Sequence, residues 1–220
     1  MGATNFIQRL HRATKRSYDD RFTGENKAEC AAVARTFGQE YFDGERKHGY
    51  GGYRYDGRWL AVAQAMVQHY DLKPGARILD IGCAKGFLVH DFLNVLPDAD
   101  AIGLDVSEYA IANAMPEVKG RVSVGNAVSL PYADKTFDLV VSINTLHNLC
   151  LPDLERALRE IERVSARHKY VVMDSYRNER EKINLLSWQL TCECFFTPRE
   201  WEWVFRKCNY NGDYECIFFE

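Results

Sequence analysis

Apolar residues along this 220-residue chain follow two rhythms. From Trp59, the stretch WLAVAQAMVQHY repeats them every three or four positions, the spacing of one helical face, and Asp56 stands where it can cap that helix. Beyond KPGA the rhythm changes. Short apolar runs over 77–81, 101–106, 121–125, 137–143 and 169–174 predict strands. Helices are predicted between them over 86–96, 107–114 and 153–166, the last with Leu154, Leu158, Ile161 and Val164 on one face. Strands alternating with helices define an α/β protein built on a doubly wound, mostly parallel sheet.

The flanks are less regular. Residues 26–38 read as a helix, and YFDGERKHGYGGYRYDGRW, residues 41–59, is dense in glycine, tyrosine and cations without any sustained period. Near the other end, NEREKINLLSWQL predicts a helix. TPRE predicts the start of another, with Thr197 as N-cap, Pro198 in the first turn and Glu200 closing a capping box. The stretch DYECIFFE reads as a final strand, expected at an antiparallel edge. The chain therefore divides into an N-terminal helical extension with a lid-like loop, residues 1–58, and a core over residues 59–220.

Bulk properties narrow the function classes. A hydrophobic content of 46% suits one globular domain, and a formal charge of −3 argues against a polynucleotide partner held by general electrostatics. No apolar run is long enough to span a bilayer, and MGATNFIQRLHRATKRSYDD lacks the apolar core of a secretory signal. Gly2 invites myristoylation, but Phe6 stands where that motif wants serine or threonine. The seven cysteines are odd in number, and Cys192 and Cys194 are too closely spaced for a zinc knuckle. Reduced thiols and a cytoplasmic location are the expectation.

Chemistry concentrates in ILDIGCAKGFLVHDF, residues 78–92, a strand that runs through a glycine turn into a helix. Ligands of doubly wound sheets bind outside the carboxyl ends of the strands, where this turn lies. Gly82 and Gly86 let the backbone turn sharply and let a ligand approach closely. The dinucleotide pattern GxGxxG fails twice, at Ala84 and at Phe87, so a nicotinamide-linked oxidoreductase is disfavoured.

The pattern D-x-G-x-G/A-x-G is met by Asp80, Gly82, Ala84 and Gly86. In these residues the chain resembles the class I S-adenosylmethionine-dependent methyltransferases, in particular the small-molecule, methyltransferase type 11 group related to ubiquinone-pathway enzymes. The resemblance covers about residues 72 to 175 and implies a Rossmann-like fold with S-adenosylmethionine as cofactor. It carries Asp80, Gly82, Cys83, Ala84 and Gly86 over as the turn that holds the cofactor. Asp105, in AIGLDVS, matches the acid that accepts hydrogen bonds from the ribose hydroxyls, and Val106 the residue packed on adenine. Asn126 and Ala127 stand at the adenine-edge position, where the family usually has Asp-Ala; an amide can still bond that edge. Asn144 matches the family's variable position near the sulfonium.

An electrophilic methyl group asks the protein to hold a nucleophile in line and, for a hydroxyl, to remove its proton. His147, three residues past Asn144, is the candidate base, the other reading being a structural histidine. The D/N-P-P-Y/F motif of base-amine methylation is absent. Asp174 and Asn178 are conceivable metal ligands, but no clear metal set is present. Tyr50, Tyr53, Tyr55 and Trp59 in the lid can stack on a ring, while Arg46, Lys47, Arg54 and Arg58 can pair with an anion. Tyr176 and Trp188 are candidates for the opposite wall. The expected reaction is O-methylation of a small polar metabolite, such as a sugar or nucleotide-linked sugar. N-methylation, RNA methylation and a non-catalytic module binding the cofactor are the alternatives. The expected partners are the small-molecule acceptor and at most a second copy of the chain, with no membrane.

Overall fold

The computed structural model describes residues 2–13, 16–18 and 26–220. Its centre is a sheet of strands β1 (Arg77–Ile81), β2 (Asp100–Asp105), β3 (Val122–Val124), β4 (Phe137–Ile143), β5 (Ser165–Ser175) and β6 (Asp213–Phe218), in the order β3-β2-β1-β4-β5-β6. Every pairing is parallel. The order reverses between β1 and β4, so the switch point lies at the carboxyl end of β1.

Successive strand residues feed opposite faces, as the two-residue period requires. Ile78, Leu139 and Val172 enter one core with Val62, Ala63 and Met66 of α4 (Leu60–His69), Leu88, Val89 and Phe92 of α5 (Phe87–Val95) and Leu185 of α8 (Glu179–Trp188). Leu79, Val140 and Val171 enter the other core with α7 (Leu151–Val164) and α9 (Pro198–Lys207). Five residues of α7 (Leu154, Ala157, Leu158, Ile161 and Val164) are buried at helical spacing. At about 1.5–3 kcal/mol for each Leu or Ile so covered, that stripe alone fixes the helix to the sheet. The capping box at Thr197 and Glu200 forms as the spacing predicts.

Before the core come α1 (Gln8–Ala13), α2 (Lys27–Ala34) and the single turn α3 (Gln39–Phe42); α6 (Glu108–Ala112) follows β2. The helix predicted over 26–38 ends early. Phe37 takes a left-handed φ of 48°, and the Thr36 hydroxyl accepts from the Gly38 N–H, turning the chain into the lid.

Two expectations need correction. Asp56 does not cap α4: its carboxylate is taken by the Arg58 guanidinium at 2.6–2.9 Å, and Trp59 holds the cap position without a side-chain bond. The last strand is not antiparallel. Between β5 and β6 the chain runs through α8 and α9 back to the starting end of the sheet, so β6 enters in the same direction as β5. Its outer edge is taken by the N-terminus: Thr4 donates to Tyr214 O and Tyr214 to Gly2 O, both at 3.0 Å.

Candidate active site

The β1–α5 turn is held by its backbone. Gly82 (φ 80°), Ala84 (φ 49°) and Gly86 (φ 79°) are all left-handed, and Gly82 and Cys83 donate to Leu104 O at 2.7 and 3.2 Å. A Cβ on Gly82 would lie 1.9 Å from Thr145 Oγ1, so only glycine lets the turn pass under the end of β4. Asp80 is buried beneath this turn, where burial and then the nearby Asp105 carboxylate push its proton affinity up, to a pKa of about 7. Cys83 is buried against Gly103, and burial pushes its thiol well above the ordinary range, leaving no reactive thiolate there.

At the end of β2, one Asp105 oxygen accepts from Ala84 N–H at 2.7 Å and the other from Ser107 N–H at 2.8 Å. Each oxygen keeps a lone pair for a further donor. Burial raises the Asp105 carboxyl against these bonds. Beside it Val106 is 54% exposed and Val124, on the neighbouring strand, 50%. A buried acid next to two bared valines offers a hydroxyl-binding edge and an apolar platform together. Asn126 is exposed with its Oδ1 accepting from Val128 N–H, and Ala127 is buried behind it. This half of the site assembles every residue of the predicted cofactor set except Asn144, which stands across the turn at the end of β4 with a left-handed φ of 56°.

Asn144 opens on a second space. A cavity of about 690 Å³ lies over the ends of β4, β5 and β6, its floor formed by Asn144, His147 and Asp174. Tyr50, Tyr53, Arg58 and Trp59 line it, as do Arg46, Arg54 and Trp188. Tyr55 and Tyr176 are not brought in. Tyr55 turns onto α5, donating to Asp91 at 2.6 Å and meeting Phe87 and His90 edge-on, and Tyr176 packs with Lys182. Lys47 pairs with Glu45 at 3.1 Å.

The lid is fastened to the glycine turn. Lys85, within the turn, donates to both Asp43 oxygens at 2.6 and 2.9 Å and to Tyr53 O at 3.0 Å. Tyr109 on α6 also donates to Asp43, at 2.7 Å, and Ser107 Oγ to Phe37 O at 2.5 Å. The Tyr53 ring stacks on Phe87 with centroids 4.8 Å apart.

His147 is buried and held by Asp174: its Nδ1 accepts from the Asp174 N–H at 3.1 Å, and its Nε2 lies 3.4 Å from Asp174 Oδ2. Burial lowers its proton affinity, opposed by Asp174. Asp174, considered from sequence only as a metal ligand, shares no site with Asn178, whose side chain caps α8 by accepting from Glu181 N–H. Among the described residues no group of three or more His, Cys, Asp or Glu is arranged to hold a metal ion. Nor is any described helix long and apolar enough to cross a membrane.

Sequence reasoning passed over Gln189 and the N-terminal wall of Ile7, Leu10, His11 and Arg16, all of which line the cavity. The signal was present in NFIQRLHR, whose Phe6, Ile7 and Leu10 recur at helical spacing.

A doubly wound parallel sheet, a glycine turn at its switch point and an acid at the next strand end define a nucleoside-cofactor-binding α/β protein of the Rossmann-like class. Comparison with known proteins gives the family. A family model described as "Methyltransferase domain" matches residues 72–209, and the chain belongs to that family of class I S-adenosylmethionine-dependent methyltransferases. It is 33% identical over 116 residues to the demethylmenaquinone methyltransferase of Symbiobacterium thermophilum, covering 49% of this chain and 45% of that protein. It is 31% identical over 131 residues to the tRNA (carboxymethyluridine(34)-5-O)-methyltransferase of Arabidopsis thaliana, covering 59% of this chain and 30% of the relative. The chain thus spans less than half the length of these curated relatives. Among solved structures, the complex of the Haloferax volcanii Trm112 methyltransferase activator with a methyltransferase matches with a TM-score of 0.56 at 20% identity, over 84% of this chain and 76% of that one. At that identity the likeness shows the fold alone.

Proposed function

We propose that this enzyme transfers the methyl group of S-adenosylmethionine to an oxygen of a small polar metabolite enclosed beneath its lid. The observation that carries the reading is the division of the site in two. A turn and acid suited to a nucleoside lie on one side of Asn144, and a half-open, mixed aromatic and cationic chamber lies on the other.

The residues present fit the cofactor. Asp105 keeps lone pairs for vicinal hydroxyls, Val106 supplies a bared platform for an adenine ring, and the left-handed Gly82 and Gly86 bring backbone rather than side chain to the ligand. Asn126 offers an amide to the adenine edge, and Asp80 offers a carboxylate to the amino group of the methionine part. When bound, S-adenosylmethionine supplies an electrophilic methyl carbon. The protein's own residues then orient the acceptor and exclude water. The described lid, residues 37–58, serves as that closure, and the Lys85–Asp43 contact couples it to the cofactor turn.

Tyr50, Tyr53, Trp59 and Trp188 give the chamber ring faces, and Arg54 and Arg58 give it positive charge. That mixture suits a polar ring such as a sugar or a nucleotide-linked sugar. The chamber's volume of about 690 Å³ is of the size that takes a small molecule.

Calorimetric titration with S-adenosylmethionine and S-adenosylhomocysteine tests the cofactor half. Micromolar binding by the wild type, weakened at least tenfold in Asp105→Ala, is the expected result; a folded wild type that binds neither nucleoside overturns the proposal. Transfer of labelled methyl groups to the small-molecule fraction of a cell extract, and not to its RNA, tests the acceptor half.

A further inference from the structure

We propose that Asp174, and not His147, takes the proton from the acceptor group, with His147 and Gln189 as the positioning residues that aim it. This rests on the methyl-transfer reading above and names the base within that site.

The argument begins with the lone pairs of the imidazole. Nδ1 of His147 accepts from a backbone N–H, so in the neutral ring the proton sits on Nε2. Nε2 in turn faces Asp174 Oδ2 at 3.4 Å. Nδ1 thus spends its lone pair on a backbone donor and Nε2 carries the ring proton, so neither nitrogen of the neutral ring has a lone pair for the chamber. The ring and Asp174 are both 2% exposed, and the backbone of His147 is held through its carbonyl by the Glu193 and Cys194 N–H groups at 2.9 and 3.0 Å, so burial does not separate the two side chains and the lone pairs do. A histidine so placed cannot abstract a proton from a ligand.

The same contacts leave Asp174 poised. Its N–H is held by His147 and its carbonyl accepts from Trp201 Nε1 at 3.1 Å, so the backbone is fixed on both sides. Oδ2 accepts from the Gln189 amide and faces His147. Oδ1 makes no hydrogen bond to any described residue, and Asp174 lies on the chamber wall. It is also at the reacting end of the sheet. Asn144 N–H bonds Val172 O at 3.1 Å, which places the end of β4 beside the strand that reaches Asp174 two residues later. Burial raises the affinity of this carboxyl for a proton, opposed by the neighbouring His147, which makes it a stronger base than an exposed carboxylate.

The step balances for a neutral hydroxyl acceptor. The oxygen's lone pair forms the new O–C bond, the C–S bond breaks with its pair going to sulfur, and the hydroxyl proton passes to Asp174 Oδ1. Two neutral products and a protonated Asp174 remain, and the carboxyl returns its proton to water.

The test needs no identified acceptor. Sinefungin carries an ammonium-bearing carbon where S-adenosylmethionine carries its methylsulfonium, so its amine projects toward the acceptor side; S-adenosylhomocysteine has nothing there. Calorimetry on the wild type, Asp174→Asn and His147→Gln is expected to give a wild-type preference for sinefungin of at least tenfold. In Asp174→Asn that preference falls below threefold while the S-adenosylhomocysteine affinity stays within twofold. His147→Gln keeps most of the preference. Absence of a preference in the wild type, or its persistence in Asp174→Asn, overturns the assignment. Failure of the wild type to bind either nucleoside overturns instead the methyl-transfer reading on which it rests.

A measurement on the wild type alone decides the matter if Asp174→Asn does not fold. The sinefungin preference is expected to weaken on acidification as Asp174 is protonated, and a preference that stays constant from neutrality down to the lowest pH at which the protein remains folded overturns the proposal. The ionisable groups facing Asp174 are His147, Arg16 from the N-terminal segment, Tyr50 from the lid, Cys192 from the segment before α9 and Cys216 of β6. The tyrosine and both thiols are held above their ordinary ranges, chiefly by burial, and the arginine stays charged, so none of them titrates in that window. Burial lowers the proton affinity of His147, and running His147→Gln over the same range separates any charging of the imidazole from protonation of Asp174.

Discussion

Asp43, in the N-terminal lid, closes on Lys85, in the middle of the glycine turn, with Oδ2 and Nζ 2.6 Å apart. Lys85 is 8% exposed, and the only other hydrogen bond of its ammonium group among the described residues goes to Tyr53 O, also in the lid. The turn that fits a cofactor and the segment that covers it are therefore one mechanical unit.

Cutting this tie has a definite consequence. Asp43→Asn leaves a buried ammonium without its counter-charge and should destabilise the lid by roughly 1–3 kcal/mol. Hydrogen exchange should speed up over residues 41–55 and remain unchanged in β1, β4 and β5. Uniform acceleration across the sheet would show that the contact serves the whole fold instead.

Two glycines separate backbone strain from collision. Gly75 (φ 81°) has open space around a built Cβ, whereas Gly82 (φ 80°) would drive one into Thr145. Gly75→Ala should cost only the left-handed penalty of about 1–2 kcal/mol. Gly82→Ala should cost clearly more, read as a lower urea midpoint at unchanged slope.

Asp80 makes stability depend on pH with an unusual sign. Its folded pKa, about 7, lies above the ordinary carboxylate value of 3.8, so the folded state binds the extra proton. The resulting penalty is absent below about pH 4 and grows until pH 7, to at most roughly 4 kcal/mol. Asp80→Asn should therefore gain stability over the wild type as pH rises through that window, measured by denaturation at pH 4, 5.5 and 7.5. Nucleoside binding should tighten over the same range, because a cationic amino group favours the ionised carboxylate.

His11 works in the opposite direction. Its Nε2 lies 2.9 Å from Phe218 O and its Nδ1 3.0 Å from Arg16, and burial together with that guanidinium holds its pKa down at about 4, against 6.5 unfolded. The unfolded state thus binds the extra proton between pH 6.5 and 4, and the stability given by the docked α1 is lost as pH falls through that range. His11→Gln should flatten this part of the acid profile, measured by thermal unfolding from pH 7 to 4.

The sequence showed the strands and helices of the core because each one's own residues carry its period. Val171 and Val172 point to opposite faces wherever β5 is placed, and Leu154, Leu158 and Ile161 share a face in any helix. Asp80, Gly82, Gly86 and Asp105 were legible for a related reason: a sharp turn between a strand and a helix restricts the residues at fixed spacing within one segment. Asp105 meets Ala84 because parallel β1 and β2 are adjacent, which the alternation of elements already implied.

Direction and pairing across long separations were a different matter. DYECIFFE has the same period whether it runs with β5 or against it; the return of the chain through α8 and α9 decided for parallel. Tyr53 and Tyr55 are two residues apart in one aromatic run, yet the first faces the chamber and the second is drawn away by Asp91, 36 positions further on. His147 reads from sequence as a candidate base because imidazole titrates near neutrality, while the structure places its Nδ1 on the N–H of Asp174, 27 positions away, and its Nε2 3.4 Å from that residue's carboxylate. A period or a turn is set by neighbours in the chain and can be read from them. Where a lone pair points is set by whichever donor folding brings within hydrogen-bond reach, and in this protein that information exists only in the tertiary structure.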